Sequence, residues 1–516
     1  MKKNDYLLLT ATCLYSFLFY KQNAGINFLV FNLVFIFILL IRNRSLVKSK
    51  KWFWAAGLCV ISSACVFIHS SALSIVANIL GLILLAGISF NNTTSALFAF
   101  LFSAFSLAGS VVFMVVDAIK RNQSDTELTS HKNGHKVFAG VIVLLLTLLF
   151  FVMYKSANPL FAENTKWINL DFLSFQWIAF TIGGFILLYG LFYHQTVSCI
   201  ERWENSLSIY NEPAITPGKQ RQLEAERFAG VLLFSMLNLM LLVLNIGDVN
   251  TLYFLGVLPK GVSHSDFVHN GVGVTISSIV FATLLIMYLF RRNFNGIKHH
   301  FLFKILVYSW IIQNILMVSS TMVRNQMYIQ TFDFTYKRIG VYVWLTLAVI
   351  GLIIMFLKLT KEHSNWYLIK VNVAVWFSVL TFSACFNWDK IITHYNLNNK
   401  PLRQVDFSYL FSLSDANIPE LKSISESNEF KQLYDKEQKI WMAYKVEEKI
   451  LSSINGYSTP RFKALEAQMK LNSNLAIEGR NYYDCLDEKI NHYLKEYTND
   501  WRSFDFRDKE ITSAIY

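Results

Sequence analysis

Four amide side chains lie inside strongly apolar stretches of the sequence, where a polar group is costly unless it has a partner. Asn238 and Asn245 are two helical turns apart, and Gln313 and Asn314 are neighbours in another apolar stretch. Together they predict a polar cavity between helices. The alternative is that these amides bond across helices and hold them together, a gain of roughly 1 kcal/mol each. We favour this packing role.

A second group of side chains suited to chemistry lies at the edge of an apolar stretch. His264, Asp266 and His269 supply two imidazoles and a carboxylate within six positions. Neutral imidazole and carboxylate can both bind a divalent metal or relay protons. A loop that enters a helix, capped by Asp266 or Asn270, explains the same residues. We favour the loop, so no metal site is predicted.

Arg338 completes this membrane-edge group, because it directly precedes a later apolar stretch. If the later basic loops of the chain are cytoplasmic, Arg338 faces away from the cytoplasm, although basic residues usually lie on the cytoplasmic side. An acidic partner such as Asp266 or Asp248, or an anionic headgroup, would explain that placement. An unpaired anchor at the headgroup level is the alternative.

The elements that must position these residues are helices dissolved in lipid. The chain has 516 residues, of which 54% are hydrophobic and 16% charged. The predicted fold class is all-α: a polytopic transmembrane helical bundle with a small soluble helical C-terminal tail. Its predicted domains are N-terminal transmembrane segments over 1–116, a main transmembrane domain over 117–386 and the tail over 387–516. One of the N-terminal segments is a candidate for a re-entrant rather than a spanning helix.

Twelve stretches approach the roughly 20 apolar residues that cross a bilayer. They are Tyr6–Tyr20, Ala24–Ile41, Trp52–His69, Ser71–Ser89, Ala96–Val116, Val137–Tyr154, Phe172–Tyr193, Phe228–Ile246, Val272–Phe290, Phe301–Ser319, Val341–Leu357 and Trp366–Phe386.

The basic loops between these stretches give conflicting orientations. Four loops, beginning with the one that holds Lys120 and Arg121, fall on one side, which is cytoplasmic by the positive-inside rule. The basic loop from Arg42 to Lys51 is separated from them by three candidate spans and would lie opposite. Both can be cytoplasmic only if one stretch between Trp52 and Val116 fails to cross. The four later loops place the tail on the extracytoplasmic side.

Charge and cysteine usage limit the partners and cofactors. The net charge is +12, and its basic excess borders the apolar stretches, where Lys and Arg meet anionic headgroups. No basic stripe interleaved with aromatic residues suggests a nucleic-acid partner. The six cysteines show no metal-ligand spacing, and no cofactor is predicted. The expected partners are the lipid bilayer and a protein bound by the tail.

An ordered series of motifs resembles a bacterial multipass membrane family that is catalogued only as a domain of unknown function, of the 4153/4173 type. The motifs are Ser263–Gly271 (SHSDFVHNG), Trp310–Asn314 (WIIQN), Phe334–Gly340 (FTYKRIG), Asn387–Asp389 (NWD) with Tyr395-Asn396, and Asp406–Leu410 (DFSYL) with Leu413–Ala416 (LSDA). The resemblance covers roughly Phe228 to Pro419. It implies a multipass protein of the bacterial cytoplasmic membrane and carries over no catalytic residue.

Three functions fit these observations. The span count and the amide-bearing helices favour a transporter or permease-like envelope protein, although inverted halves are not evident. The balanced charge of the tail fits an envelope sensor or assembly scaffold. A membrane enzyme acting on a lipid-linked substrate would use the membrane-edge group. Whether the chain is an enzyme stays open.

Overall fold

The computed structural model describes residues 3–124, 174–210, 220–255, 264–290 and 301–433, together with parts of 143–165 and 439–449. These residues form helices and no strand, which confirms the all-α class. An isolated bridge joins Tyr210 and His363. The chain divides into two compact units, Met1–Val197 with Phe407–Tyr516, and Ser198–Asp406. We call them unit 1 and unit 2. The domain boundaries placed after residues 116 and 386 stay predictions.

In chain order the helices are α1 Lys3–Phe19, α2 Ile26–Arg42, α3 Lys50–His69, α4 Ala72–Phe90, α5 Ala96–Ala108, α6 Ser110–Ser124, α7 Pro159–Asn164, α8 Phe175–Phe192, α9 Ser198–Ser206, α10 Gln220–Val249, α11 His264–Leu289, α12 Phe301–Phe332, α13 Tyr336–Thr360, α14 Asn365–Ala384, α15 Trp388–Asn399, α16 Phe407–Ser412, α17 Ile418–Glu426 and α18 Asn428–Leu433. Serines begin many of them. Ser49, Ser71 and Ser174, for example, each accept a backbone N–H of the first turn, as N-cap residues do.

Among the described residues, seven helices are long and apolar enough to span a membrane. They are α3, α4, α8, α10, α12, α13 and α14, and each matches a predicted span. The predicted span Ala96–Val116 is instead two helices, which meet at Gly109 with a bend of 77°. The α2 helix and the Ser277–Leu289 part of α11 are apolar but shorter. Most of the predicted span Val137–Tyr154 lies outside the described residues.

Helix ends in unit 1 gather at two ends of the unit. At one end Lys3 Nζ donates to the Ile41 carbonyl at 2.7 Å, and Lys51 Nζ donates to the carbonyls of residues 92–94 at 3.2–3.3 Å. At the other end Tyr20 and Ser174 share a hydrogen bond of 2.6 Å, and Ser70 donates to the Ala24 carbonyl. Helices α2 and α4 finish at the first end, where Lys3 binds a carbonyl in the last turn of α2 and Lys51 binds the loop that follows α4. We call this first end the basic end of unit 1.

The bent pair α5–α6 returns to the basic end of unit 1. Ser106, near the end of α5, accepts the Gln195 N–H at 2.8 Å, just beyond the end of α8. Asp117 of α6 accepts the Tyr189 hydroxyl at 2.8 Å, in the last turn of α8. The α5 helix also begins at this end, next to the loop that Lys51 binds. Both helices of the pair therefore lie beside the basic end of unit 1.

Unit 2 is built around α12, which packs against α10, α11 and α13. Helices α10 and α12 run parallel, since Phe234 contacts Phe303 and, one turn on, Asn238 bonds to the Leu306 carbonyl. The end at which α10 and α12 begin holds Arg227, Lys304 and Lys361, and we call it the basic end of unit 2. It also holds the start of α14, where Asn365 donates to the Met287 carbonyl at 3.0 Å. At the opposite end α15 joins the unit, because Tyr336 donates to Asp389 at 2.8 Å.

The first residues of the predicted tail therefore belong to unit 2, while its later described helices form a small core of their own. Phe407 and Phe430 pack edge to face, and Leu410 and Leu421 are fully buried. Lys449 donates to the Leu410 and Phe411 carbonyls at 3.2 and 3.3 Å. The described part of the tail is helical, as predicted.

Apolar side chains cover the outside of the spans. The α10 helix is the extreme case among the seven, since only 17% of its apolar window is buried. Met240 and Val243 are 69% and 67% exposed on the face away from α12. A helix that exposes this much apolar surface is stable in lipid and not in water.

Candidate functional site

The predicted amides lie along the contact between α10 and α12. Gln313 donates through Nε2 to Asn238 Oδ1 at 2.8 Å. Asn238 donates through Nδ2 to the Leu306 carbonyl at 2.9 Å and to the Phe234 carbonyl at 2.6 Å. The part of this helix that forms a candidate span runs from Glu224 to Leu252, so Asn238 stands at its midpoint. A pair of bonded amides therefore lies at the middle of this span.

Asn245 extends the row by two turns, because its Nδ2 donates to the Gln313 backbone carbonyl at 3.1 Å. Asn314 is different. Its Nδ2 donates to the Trp310 carbonyl of its own helix at 2.7 Å, and the residue is 1% exposed. The structure brings Asn238, Gln313 and Asn245 together and leaves Asn314 outside the row. The bonds between the two helices are of the kind expected for packing amides.

An ion pair continues the row towards the end opposite the basic end. Arg324 of α12 donates to Asp248 Oδ1 of α10, and the two side chains are 14% and 12% exposed. Asp248 is ten residues beyond Asn238, about 15 Å at the helical rise, or half the thickness of a hydrocarbon core. We call the row of Asn238, Gln313, Asn245, Asp248 and Arg324 the polar seam.

Sequence reasoning missed Arg324 because the predicted span stopped at Ser319. Hydropathy falls over the polar residues that follow, but the helix continues to Phe332. A signal was available, since Asn314, Thr321 and Arg324 recur at helical spacing and place one polar face beyond the predicted end.

Three acceptor atoms in the polar seam have no donor. Asn245 Oδ1, Asp248 Oδ2 and Gln313 Oε1 are buried and have no hydrogen-bond partner. Asn245 is 6% exposed and Asp248 is 9% exposed. A buried acceptor without a donor costs about 1–3 kcal/mol. The seam is therefore more polar than packing of α10 against α12 requires.

Arg338 holds a helix end together. Its Nη1 donates to the carbonyls of Phe332, at 2.7 Å, and Asp333, at the C-terminus of α12, and its guanidinium lies 4.4 Å from the centre of the Tyr328 ring. Neighbouring Asp333 has a φ of 76°, and its carboxylate lies 2.8 Å from Lys400 Nζ. Asp248, predicted as a partner of Arg338, pairs instead with Arg324. Helix carbonyls thus bind the guanidinium, because the end of α12 is left with unpaired acceptors.

The other residues of the membrane-edge group begin a helix. Since α11 starts at His264, the stretch with His264, Asp266 and His269 forms its first two turns and is no loop. The predicted loop is wrong here, because the helix starts nine residues before Gly273. The side chains of these three residues lie outside the part of the chain that the structure describes. Their metal-binding or proton-relay role stays untested.

Unit 1 carries a polar cluster at its basic end that the sequence did not indicate. His194 lies 3.4 Å from Ser103 Oγ through Nδ1, and its ring packs 4.8 Å from that of Phe90. Burial, and to a lesser degree the positive charge of Arg42, lowers the pKa of His194 to about 4. Tyr193 donates to Asp5 beside it. The neutral imidazole is thus part of the packing between α8 and the α4–α5 region.

Membrane-length helices with buried amides and an ion pair between them define the protein as polytopic and helical, with its apolar faces in contact with lipid. It belongs to the family described as Domain of unknown function (DUF4153), which matches residues 7–424. The resemblance drawn from motifs after Phe228 is confirmed, and the match extends through the N-terminal helices. No curated protein and no solved structure matches the chain.

Proposed function

We propose that this chain is a permease-like protein of the cell envelope, in which the polar seam lines part of the path of a small polar solute. The observation that carries the proposal is the Asp248–Arg324 ion pair, which continues a row of amides from the middle of α10 to its far end. Ionisable side chains that are buried between membrane helices, and do not face water or headgroups, often mark ion or solute paths.

The packing of α10 is suited to movement of this helix relative to α12. This helix contacts chiefly α12, and most of its remaining surface faces outward. The contact is polar along the seam, whereas Phe234 of α10 is fully buried in the apolar core of unit 2. Separation of the two helices along the seam lets water reach its three unpaired acceptors. Opening beside Asn245 and Asp248 therefore has a smaller cost than opening at Phe234.

The orientation follows from the basic end of each unit taken separately. In unit 1 the pair α5–α6 lies beside the basic end, so we infer that it is re-entrant and that the loop from Arg42 to Lys51 and Lys120 share one side. In unit 2 the basic end holds Arg227, Lys304 and Lys361. The positive-inside rule makes both basic ends cytoplasmic, which supports an extracytoplasmic tail. The conflict among the basic loops then disappears.

A lipid-linked enzyme gains less support, because Arg338 is bound by helix carbonyls and is not placed to meet a substrate. A scaffold that binds a protein through its tail remains the alternative. These functions make different demands on the seam. A path must be hydrated in at least one state, whereas a scaffold needs only packed amides there.

Cysteine accessibility tests the proposal in the full-length protein. In a background without the native cysteines, Asn245→Cys is treated in intact cells with a charged, membrane-impermeant thiol reagent. The matched control is Val243→Cys, two residues away on the lipid-facing side of α10. We expect Asn245→Cys to react at least about tenfold faster, because the reactive thiolate forms only where water reaches.

Reaction from outside also tests the orientation, since the reagent does not cross the membrane. If Asn245→Cys and Gln313→Cys are as inert as Val243→Cys from both sides of the membrane, in protein with an unchanged elution profile and melting temperature, the seam is dry packing. That result would refute the path and favour the scaffold.

A further inference from the structure

Two residues that carry unpaired oxygens are neighbours on one face of α10. Asn245 and Asp248 are three residues apart on α10, so they share one face with their Cβ atoms about 5–6 Å apart. Both residues are more than nine-tenths buried, and Asn245 Oδ1 and Asp248 Oδ2 have no hydrogen-bond partner. Asn245 Nδ2 is already bonded to the Gln313 carbonyl, and Asp248 Oδ1 to Arg324. The two remaining oxygens have their bonding capacity unused, and the single N–H of Arg324 Nε, which is also buried in the seam, cannot satisfy both of them.

The chemistry of these atoms selects the ligand. An amide carbonyl and a carboxylate are both acceptors, so they cannot satisfy each other and repel when close. An anion would add a third acceptor. A cation satisfies both oxygens at once, since oxygen ligands of this kind are what hard cations bind. Gln313 Oε1, the third unpaired oxygen, lies further along the seam towards Asn238 and offers the next acceptor.

The local charges select a cation of low charge. Arg324 neutralises Asp248, so the described charges of the seam sum to zero before the ligand arrives. A divalent ion would have no excess negative charge to balance it and would stay hydrated. A single positive charge needs less compensation, and the backbone supplies some.

The backbone contribution comes from the change of helix type after Asp248. Asp248 lies in the last α-helical turn of α10, and the helix continues at once as a π-helical turn, Asn250–Leu255. Where i→i+4 bonding changes to i→i+5, a carbonyl of the preceding turn loses its usual donor. This places additional acceptor capacity beside Asp248.

We propose that the α10–α12 contact binds a small monovalent cation between Asn245 Oδ1 and Asp248 Oδ2, opposite the guanidinium of Arg324. This inference rests on the proposed path, for which it names the co-transported or transported species as a monovalent cation. An alkali ion and a small ammonium ion share this chemistry, and both require the two oxygens.

The test measures cation binding by purified full-length protein in detergent. Thermal unfolding is followed in NaCl, KCl, NH4Cl and choline chloride at equal ionic strength. We expect one of the first three salts to raise the melting temperature saturably over choline. Asp248→Asn and Asn245→Leu should each weaken the apparent affinity at least about tenfold, which is 1.4 kcal/mol. Asn372→Leu is the matched control, because this α14 amide bonds only within its own helix, to the Leu368 carbonyl.

The outcomes separate the site from the path. The responding salt identifies an alkali ion or an ammonium ion. Equal melting temperatures in all four salts mean that buried water alone satisfies the oxygens, and the inference is overturned. If Asn245→Cys is accessible to the thiol reagent in that case, the path stands without the cation. A salt response that Asn245→Leu, Asp248→Asn and Asn372→Leu all retain would place the cation elsewhere and would also overturn the inference.

Discussion

Replacement of Gly190 by alanine tests the close approach of α5 to α8. A Cβ atom built on Gly190 lies 2.6 Å from the Ser106 carbonyl oxygen and 2.8 Å from Leu107 Cα. Ordinary contacts of this kind begin at 3.4 Å, so the two backbones must move apart by most of an ångström. Because both atoms belong to the backbone of α5, no side-chain rotation relieves the overlap.

The magnitude follows from two opposing effects. Overpacking of a tight contact costs about 1–3 kcal/mol. Alanine in a helix gains about 1 kcal/mol over glycine. We therefore expect Gly190→Ala to lower the free energy of unfolding by up to roughly 2 kcal/mol. Gly183 of the same helix has nothing within 4 Å of its built Cβ, so Gly183→Ala should be neutral or slightly stabilising.

The assay is reversible unfolding of the full-length protein in mixed micelles with increasing SDS, followed by the loss of helical circular dichroism. The comparison between two alanine substitutions in one helix cancels the effect of alanine on helix propensity. If Gly190→Ala is as stable as Gly183→Ala, α5 does not pack against α8 as described. The inferred re-entrant placement of α5–α6 would then lose its support.

Two further predictions concern charged groups in the two units. In unit 2, Arg324→Gln should lower the free energy of unfolding by about 3–5 kcal/mol, because it leaves the buried carboxylate of Asp248 without its cation. Adding Asp248→Asn should restore part of this loss. If the effects of the two substitutions are simply additive in a double-mutant cycle, the ion pair is contradicted. In unit 1, the lowered pKa of His194 means that the unfolded chain takes up a proton first as the pH falls. The free energy of unfolding should therefore decrease by about 3 kcal/mol as the pH falls from about 6.5 to about 4. In His194→Gln, the melting temperature should depend less on pH over this range. An unchanged pH dependence would contradict the burial of a neutral imidazole.

Local sequence was sufficient to predict most of the spans. Composition and length place α3, α4, α8, α10, α12, α13 and α14 correctly, because a helix in lipid needs only a long apolar stretch. The stretch Ala96–Val116 has the same composition but bends at Gly109. Hydropathy averages over a window and carries no information on backbone direction. The bend is fixed by contacts with α8, which is more than sixty residues away in sequence.

The polar seam could also be predicted only in part from local sequence. The amides stood out because they are rare in apolar stretches, and three of the four lie in one row. Their pairing depends on α10 and α12 lying parallel with α11 between them in sequence, which no local pattern encodes. Arg324 was missed because its helix is longer than its apolar stretch. Arg338 was correctly marked as needing partners, but these are backbone carbonyls, and no sequence pattern distinguishes them.

The length of α12 links this protein to the lipid around it. Its 32 residues extend about 48 Å, against a hydrocarbon core of about 30 Å, so the helix must tilt or protrude. The ion pair stands about 15 Å from the middle of the neighbouring span, at the boundary between acyl chains and headgroups. In a bilayer with shorter acyl chains, Asp248 and Arg324 would lie among hydrated headgroups. In a bilayer with longer acyl chains, they would lie within the hydrocarbon core. Membrane thickness thus sets the electrostatic cost of keeping these two charges together.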